Sequence, residues 1–579
     1  MTIYQIFTRL YGNTCSNNIV DGSLAENGCA KMNGYSEAVL RRIKQDGYTH
    51  LWLTGIIEHA TQTDYSAYGI ARNHPAIVKG RAGSPYAIKD YYDIDPDLAV
   101  RVPQRMKEFE DLVKRTHKVG LKLVIDFVPN HVCREYHSDA CPEGVTDLGA
   151  EDNSSYHFST SNNFYYCWGE PLHTDFAARR EADEYPYIEQ PAKATGNDHF
   201  DAWPSKNDWY ETVKLNYGID YCDAGGRSYH FSPIPSTWEK MLHILLFWCG
   251  KGVDAFRCDM AEMVPVEFWE WAIGKVRAAY PEVKFIAEVY DPARYRDYIQ
   301  RGGFDYLYDK VGLYDTLRAV VRHEAPASAI TQQWQSVDDI RQHMLYFLEN
   351  HDEQRIASPF FCGDARKALP ALVAAAFMST NPFMVYAGQE VGEAAEDAEG
   401  FSGHDGRTTI FDYWSPLSLR KLYALGADGK PRKGALGTAK AEELTLTDSE
   451  RELYEYYRRV VRLRESESAL VFGLFYDLEY ANLDHHQQFD PTRHYAFLRR
   501  SEDQLLLVVC NFSDETAEMG VCIPEHAFTY LSIPEGSVRA KDLLTGHSLT
   551  ISLHADGFTS VEVPANGAVC ISVSMNQEK

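Results

Sequence analysis

The sequence predicts an α/β fold: a (β/α)8 TIM barrel with an inserted domain after strand three and a C-terminal antiparallel β-sandwich. Three observations predict it. Eight short apolar runs, rich in Val, Ile, Leu, Phe and Tyr, alternate with segments of helical periodicity between residues 3 and 390. A run too short for a helix but apolar almost throughout reads as a strand buried on both faces. One gap between these runs is about a hundred residues long and rich in Asn, Asp, Ser, Gly and Tyr, far beyond an ordinary βα loop. After about residue 465 the helical segments give way to short strands separated by turn signals.

Taken in order, the strands are IYQIFTRLYG (3–12), HLWLTGI (50–56), LVIDFVPNH (123–131), GVDAFRCDM (252–260), KFIAEVY (284–290), FDYLYD (304–309), LYFLEN (345–350) and PFMVYAGQE (382–390). A helix is expected around 36–46, before strand two. RMKEFEDLVKRTHKVG (105–120) has helical periodicity and closes on Gly120, a residue type that ends helices in the left-handed conformation. Eight strand–helix repeats close a parallel barrel. A second long insertion, roughly 57–100, follows strand two. HYAFLRR (494–500), QLLLVVCNFS (504–513) and GAVCISVSM (567–575) are the clearest strands of the terminal sandwich. The expected division is barrel 1–131, inserted domain 132–235, barrel 236–465 and sandwich 466–579. EAAEDAEG (393–400) reads as a solvated acidic loop.

Composition narrows the function. The chain has 579 residues, 45% hydrophobic and 24% charged, as in a globular protein. Its formal net charge of −26 repels phosphate backbones, which argues against a nucleic-acid partner. The 12 cysteines show no CxxC and no zinc spacing, and several lie in apolar runs, so they read as free thiols of a reducing compartment. MTIYQIFTRL lacks the basic and apolar regions of a signal peptide. No run of ~18 apolar residues spans a membrane. A cytoplasmic location is expected.

The chemistry sits at the strand ends. Asp126, Asp259, Glu288 and Asp352 lie at the ends of four of the apolar runs. Taken singly, such an aspartate is usually a helix cap, and an Arg–Asp pair usually structural. Acids at the C-terminal ends of several parallel strands, however, converge on the face where these barrels carry their active sites. Two carboxylates about one sugar bond are what glycoside hydrolysis requires. Arg257 precedes Asp259 by two residues, so both side chains leave the strand on the same side. The guanidinium favours the ionised Asp259.

DFVPNH, GVDAFRCD, EV after strand five and NHD after strand seven, in that order, resemble the four sequence regions of the α-amylase family, glycoside hydrolase family thirteen. The resemblance implies Asp259 as nucleophile, Glu288 as acid/base with a raised pKa, and Asp352 as the third carboxylate. It implies His131 and His351 as partners of sugar hydroxyls and Arg257 as partner of the nucleophile. Tyr86, four residues before Asp90 in GSPYAIKDYYDIDP, matches the tyrosine that stacks under the reacting sugar. Asp126 matches a structural aspartate bonded to Arg257. The chemistry needs no cofactor. A structural calcium is a feature of the family, with Asn130 as a candidate ligand.

The chain departs from the pattern at Glu262 and Met263, where typical members carry Lys and His. Those residues border the leaving-group side, and the histidine's backbone helps bind the calcium. VKLNYG (213–218) and GHDGRTTIFDYW (403–414) resemble neopullulanase and cyclomaltodextrinase segments, although the N-terminal β-domain of those enzymes is not expected here. The reading is a retaining hydrolase of α-1,4 bonds in starch, glycogen or maltooligosaccharides. A transglycosylase or isomerase of the same family is the first alternative, and a non-catalytic sugar-binding protein the second.

Overall fold

The computed structural model describes residues 1–174, 186–395, 403–484 and 486–575. Eight parallel strands close a barrel: β1 Thr2–Phe7, β2 His50–Thr54, β3 Lys122–Phe127, β4 Ala255–Cys258, β5 Lys284–Ala287, β6 Tyr306–Tyr308, β7 Met344–Phe347 and β8 Phe383–Tyr386. All eight expected strands form, each shorter than its apolar run. Beyond the ladder ends of β4, β5 and β7 lie Asp259, Glu288 and Asp352, whereas Asp126 lies within β3. Closure runs from β1 to β8 through the pairs Thr2↔Phe383 to Gln5↔Tyr386.

Register places the chemistry. Arg257 on β4 pairs with Asp126 on β3 and with Ile286 on β5. Phe256, next to Arg257 on that strand, turns the other way and meets Phe127 and Phe285, with ring centroids 6.2 and 5.6 Å apart. Period-two alternation thus separates the polar interior from the aromatic layer under the helices. The helix Glu37–Gln45 lies where expected, and Arg105–Lys118 ends before Gly120, which takes φ 80°.

The segment after β3 is held by side chains more than by ladders. His131–Cys133 pairs with Thr212–Lys214, and Ile219–Asp220 with Ser228–Tyr229. Elsewhere Asn and Asp side chains do the work of strands. Asp152 accepts from the Asn163 and Phe164 amides at 2.7 and 3.0 Å, and Asn163 Nδ2 donates to Thr237 Oγ1 at 3.0 Å. This explains the Asn- and Asp-rich composition: short polar side chains satisfy buried backbone groups where no ladder does. The insertion after β2 is a hairpin of Ile57–His59 against Ile88–Ile94.

The C-terminal part is a six-stranded antiparallel sheet facing a two-stranded one, Ala517–Ile523 with Gly557–Val563. The two layers are unequal because the large sheet serves two cores. On the strand Gln504–Asn511, Leu505, Leu507 and Val509 face the sandwich, whereas Leu506, Val508 and Cys510 belong to the barrel's core. That is why this strand reads as one continuous apolar run and not as an alternation. Asp477 adds a polar tie, accepting from Thr331 Oγ1 at 2.8 Å and Trp334 Nε1 at 2.6 Å. All twelve cysteines are free. Among the described residues no helix is long and apolar enough to cross a membrane. The acidic loop expected at 393–400 falls mostly on 396–400, outside the described residues.

Candidate active site

Every strand-end residue singled out above meets at one guanidinium. Arg257, fully buried, holds Asp259 Oδ1 at 2.7 Å through Nη1 and Glu288 Oε1 at 2.9 Å through Nη2. Asp126 lies 3.4 Å and Asp352 3.8 Å away. The guanidinium lies 5.6, 5.4 and 5.4 Å from the ring centres of Trp52, Tyr86 and Tyr308. A planar cation with donors on every edge suits such a hub. Asp126 is turned away from the solvent and accepts from Trp52 Nε1 at 2.9 Å, as a structural residue would.

Above this floor opens a cavity of about 350 Å³. Tyr86, His131, Asp259, Glu288 and Asp352 line it, together with Lys79, Trp209, Tyr290, Ile410 and Phe411. The Tyr86 ring lies 5.3 Å from the His351 ring, and its hydroxyl meets His351 Nε2. His351 Nδ1 faces Gln5 Nε2 at 2.8 Å, and its Nε2 is 3.0 Å from Asp352 Oδ2. His131 Nε2 stands 4.0 Å from Asp259 Oδ2, with its ring against Trp209 at 5.2 Å. Burial, with Lys214 and Lys79 nearby, pushes His131 down to about 3, so it stays neutral near pH 7.

The carboxylates about Arg257 sit in unequal surroundings. Burial pushes Asp259 upward; Arg257 opposes this, and Glu288 and Asp352 add repulsion. Asp352, half-buried, is held at about 2 against its partial desolvation by His351, Arg257 and Arg407. Three carboxylates against one guanidinium favour keeping a proton within the group, and that proton belongs to the coupled cluster.

Residues 130 and 263, tied above to calcium, both face Lys214. Its ammonium reaches Asn130 Oδ1, pairs with Asp198 at 2.7 Å and lies 3.4 Å from the Met263 carbonyl. Asn130 Nδ2 donates to the Gly196 carbonyl at 2.7 Å. A calcium ion needs about 6–8 oxygen ligands free to point at it. Here the oxygens already face a buried cation, so this set of residues does not fit calcium.

Sequence reasoning missed the rim. Trp209, Ile410 and Phe411 come from segments without periodicity. Gly83, at φ 81°, brings the chain so close that an added Cβ would meet the Ala60 carbonyl oxygen at 1.7 Å; its amide donates to the Phe411 carbonyl at 3.2 Å. Tyr290 was within reach, because it follows Glu288 by two residues.

Fold and site together define a class: a (β/α)8-barrel protein whose strand-end carboxylates surround an arginine under a sugar-sized cavity. Residues 5–288 match the family described as α-amylase, catalytic domain. It is similar to maltase A1 of Drosophila melanogaster, 24% identical over 263 residues that cover 44% of this chain and 33% of the relative. A cyclomaltodextrinase of Geobacillus thermopakistaniensis is 20% identical over 516 residues, 87% of this chain and 69% of the relative. The chain thus spans a third of the length of the first of these relatives. Among solved structures, a maltogenic α-amylase from Thermotoga neapolitana has the same fold, with a TM-score of 0.61 at 18% identity over 99% of both chains.

Proposed function

We propose that this chain is a retaining glycoside hydrolase acting on α-1,4 bonds of α-glucans or maltooligosaccharides. The observation that carries the reading is the shared guanidinium: Asp259 and Glu288 approach adjacent nitrogens of Arg257, at 2.7 and 2.9 Å, at the floor of one cavity. Sharing one guanidinium supports the short carboxyl spacing of retaining enzymes, about 5–5.5 Å, against the about 6.5–9.5 Å of inverting ones. In this reading Asp259 attacks the anomeric carbon while Glu288 protonates the departing oxygen. Water, deprotonated by Glu288, then releases the sugar from the Asp259 ester. Tyr86 supports the sugar ring, and His131, His351 and Asp352 hold its hydroxyls. The relatives named above, a maltase and a cyclomaltodextrinase, support an α-glucan as substrate. The free cysteines support a reducing compartment.

The test is a time course on maltoheptaose and pullulan with products sized and their anomers read by NMR, beside trapping with a 5-fluoro glucosyl fluoride. Products released first as α-anomers, with label on Asp259 that Asp259→Asn abolishes, are expected. First-formed β-anomers or label elsewhere would overturn the mechanism. Products longer than the substrate, exceeding hydrolysis, would make the enzyme a transglycosylase.

A further inference from the structure

Among the carboxylates that line the cavity, Glu288 has a close partner on each oxygen, and one of those partners comes from the substrate side. Oε2 accepts the Met260 amide at 2.8 Å. Oε1 faces Arg257 Nη2 at 2.9 Å and accepts from the Tyr290 hydroxyl at 2.6 Å. Met260 and Arg257 belong to β4 and the turn after it, so the barrel sets their positions. Tyr290 follows Glu288 by two residues beyond the end of β5, so its side chain emerges on the same side, while Val289 between them is buried. Its ring is half-buried and lines the cavity beside Glu288 and Asp352.

We propose that Tyr290 is a positioning residue for the proton transfer: it fixes the Glu288 carboxyl plane and takes up the charge that appears there when the proton leaves. This rests on the reading of Glu288 as the acid/base. In the first step the Glu288 proton passes to the glycosidic oxygen. The electrons of the C1–O bond go to that oxygen, and C1 bonds to Asp259. Glu288 is left as a carboxylate, and the Tyr290 hydroxyl donates to it. In the second step Glu288 takes a proton from water, whose oxygen attacks C1 as the ester electrons return to Asp259. A phenol both donates and accepts, so Tyr290 can follow Glu288 through both states. Burial and the adjacent Glu288 push the Tyr290 phenol far above its usual range, so its own proton stays in place. A hydrogen bond to a charged group is stronger than one to a neutral group, so the contact tightens as the charge develops.

The consequence is a dependence on the leaving group. A sugar leaving group needs its proton, whereas a 2-chloro-4-nitrophenolate departs without one. Tyr290→Phe should lower kcat/KM on maltotetraose about tenfold, and on 2-chloro-4-nitrophenyl α-maltotrioside by less than about threefold, with an unchanged melting curve. Glu288→Gln, measured alongside, should show the same split more strongly. Equal losses on both substrates, or no loss on either, would overturn the role of Tyr290. A Glu288→Gln enzyme without the split would instead overturn the assignment of Glu288, whatever Tyr290→Phe does. If the phenylalanine variant fails to fold, Tyr290→Met carries the same comparison.

Discussion

Among the described residues, two groups of three carboxylates are built to opposite ends. Asp259, Glu288 and Asp352 gather about Arg257 and face a cavity. Glu58, Asp90 and Asp93, on the hairpin after β2, bring three oxygens within 4.8 Å of one another and do not line that cavity. Burial acts on both groups alike, raising Asp259 in the first, and Glu58 to about 8 and Asp90 to about 6 in the second. The difference lies in how the charge is met. Asp90 accepts from Ser138 Oγ at 2.6 Å and from the Ala140 and Tyr92 amides at 3.0 and 2.8 Å; Asp93 pairs with Arg105 at 2.6 Å. These contacts tie the hairpin to the segment after β3 and to the helix Arg105–Lys118. Glu58 has Lys89 at 3.7 Å and accepts no hydrogen bond. Perturbed carboxylates alone do not make an active site; the cavity and the shared guanidinium distinguish the first group.

The contrast breaks or holds on paired substitutions. Glu288→Gln should cost about 10²–10⁴-fold in kcat/KM on maltooligosaccharides while the protein melts normally. Glu58→Gln should leave the rate within about twofold of the parent, since Glu58 does not line the cavity. Initial rates and thermal melts of the two variants check this. A Glu58→Gln enzyme as slow as Glu288→Gln would erase the distinction.

An intermediate effect is expected at the junction of barrel and insertion. Lys214→Met leaves Asp198, the Asn130 oxygen and the Met263 carbonyl without their shared cation, and should destabilise by about 2 kcal/mol, given that Asp198 retains solvent. The melting temperature of the parent should not respond to calcium or to a chelator. A calcium-induced rise that Asn130→Ala removes would place the ion at this junction after all.

The smallest effect is a pH dependence. Glu58 has a folded pKa of about 8 against an ordinary 4.5, so between these values the folded state holds the proton and the unfolded state releases it. Its contribution to stability is complete below about pH 4.5 and is lost as pH rises through 8. Glu58→Gln should therefore gain on the parent in melts from pH 5 to pH 9, with the gain growing upward. His131 acts oppositely: held near 3, it favours folding above its ordinary 6.5 and withdraws that as pH falls. A gain for Glu58→Gln that shrinks toward pH 9 would contradict the sign.

Much of the site was legible before folding because it obeys local rules. Each barrel strand is a continuous apolar run, and the acid that follows it marks the C-terminal face. The i, i+2 relation puts Arg257 and Asp259 on one side, and the same relation pointed to Tyr290 had it been applied one strand further on. The double-faced strand Gln504–Asn511 was visible as a strand, but its second partner, the barrel, was not.

What the sequence by itself determined was the order of the eight strands, the acids at their ends and the side of the strand each acid takes, because these follow from periodicities of two and of 3.6 residues along a short stretch of chain. Tertiary structure alone decided the rest. Lys214 meets Asn130 across 84 residues and Tyr86 meets His351 across 265, while Trp209 and Phe411 close the cavity from loops that carry no repeat. The protonation of the cluster was decided there too, since burial and the spacing of several charges set it jointly, and neither exists until the chain has closed on itself.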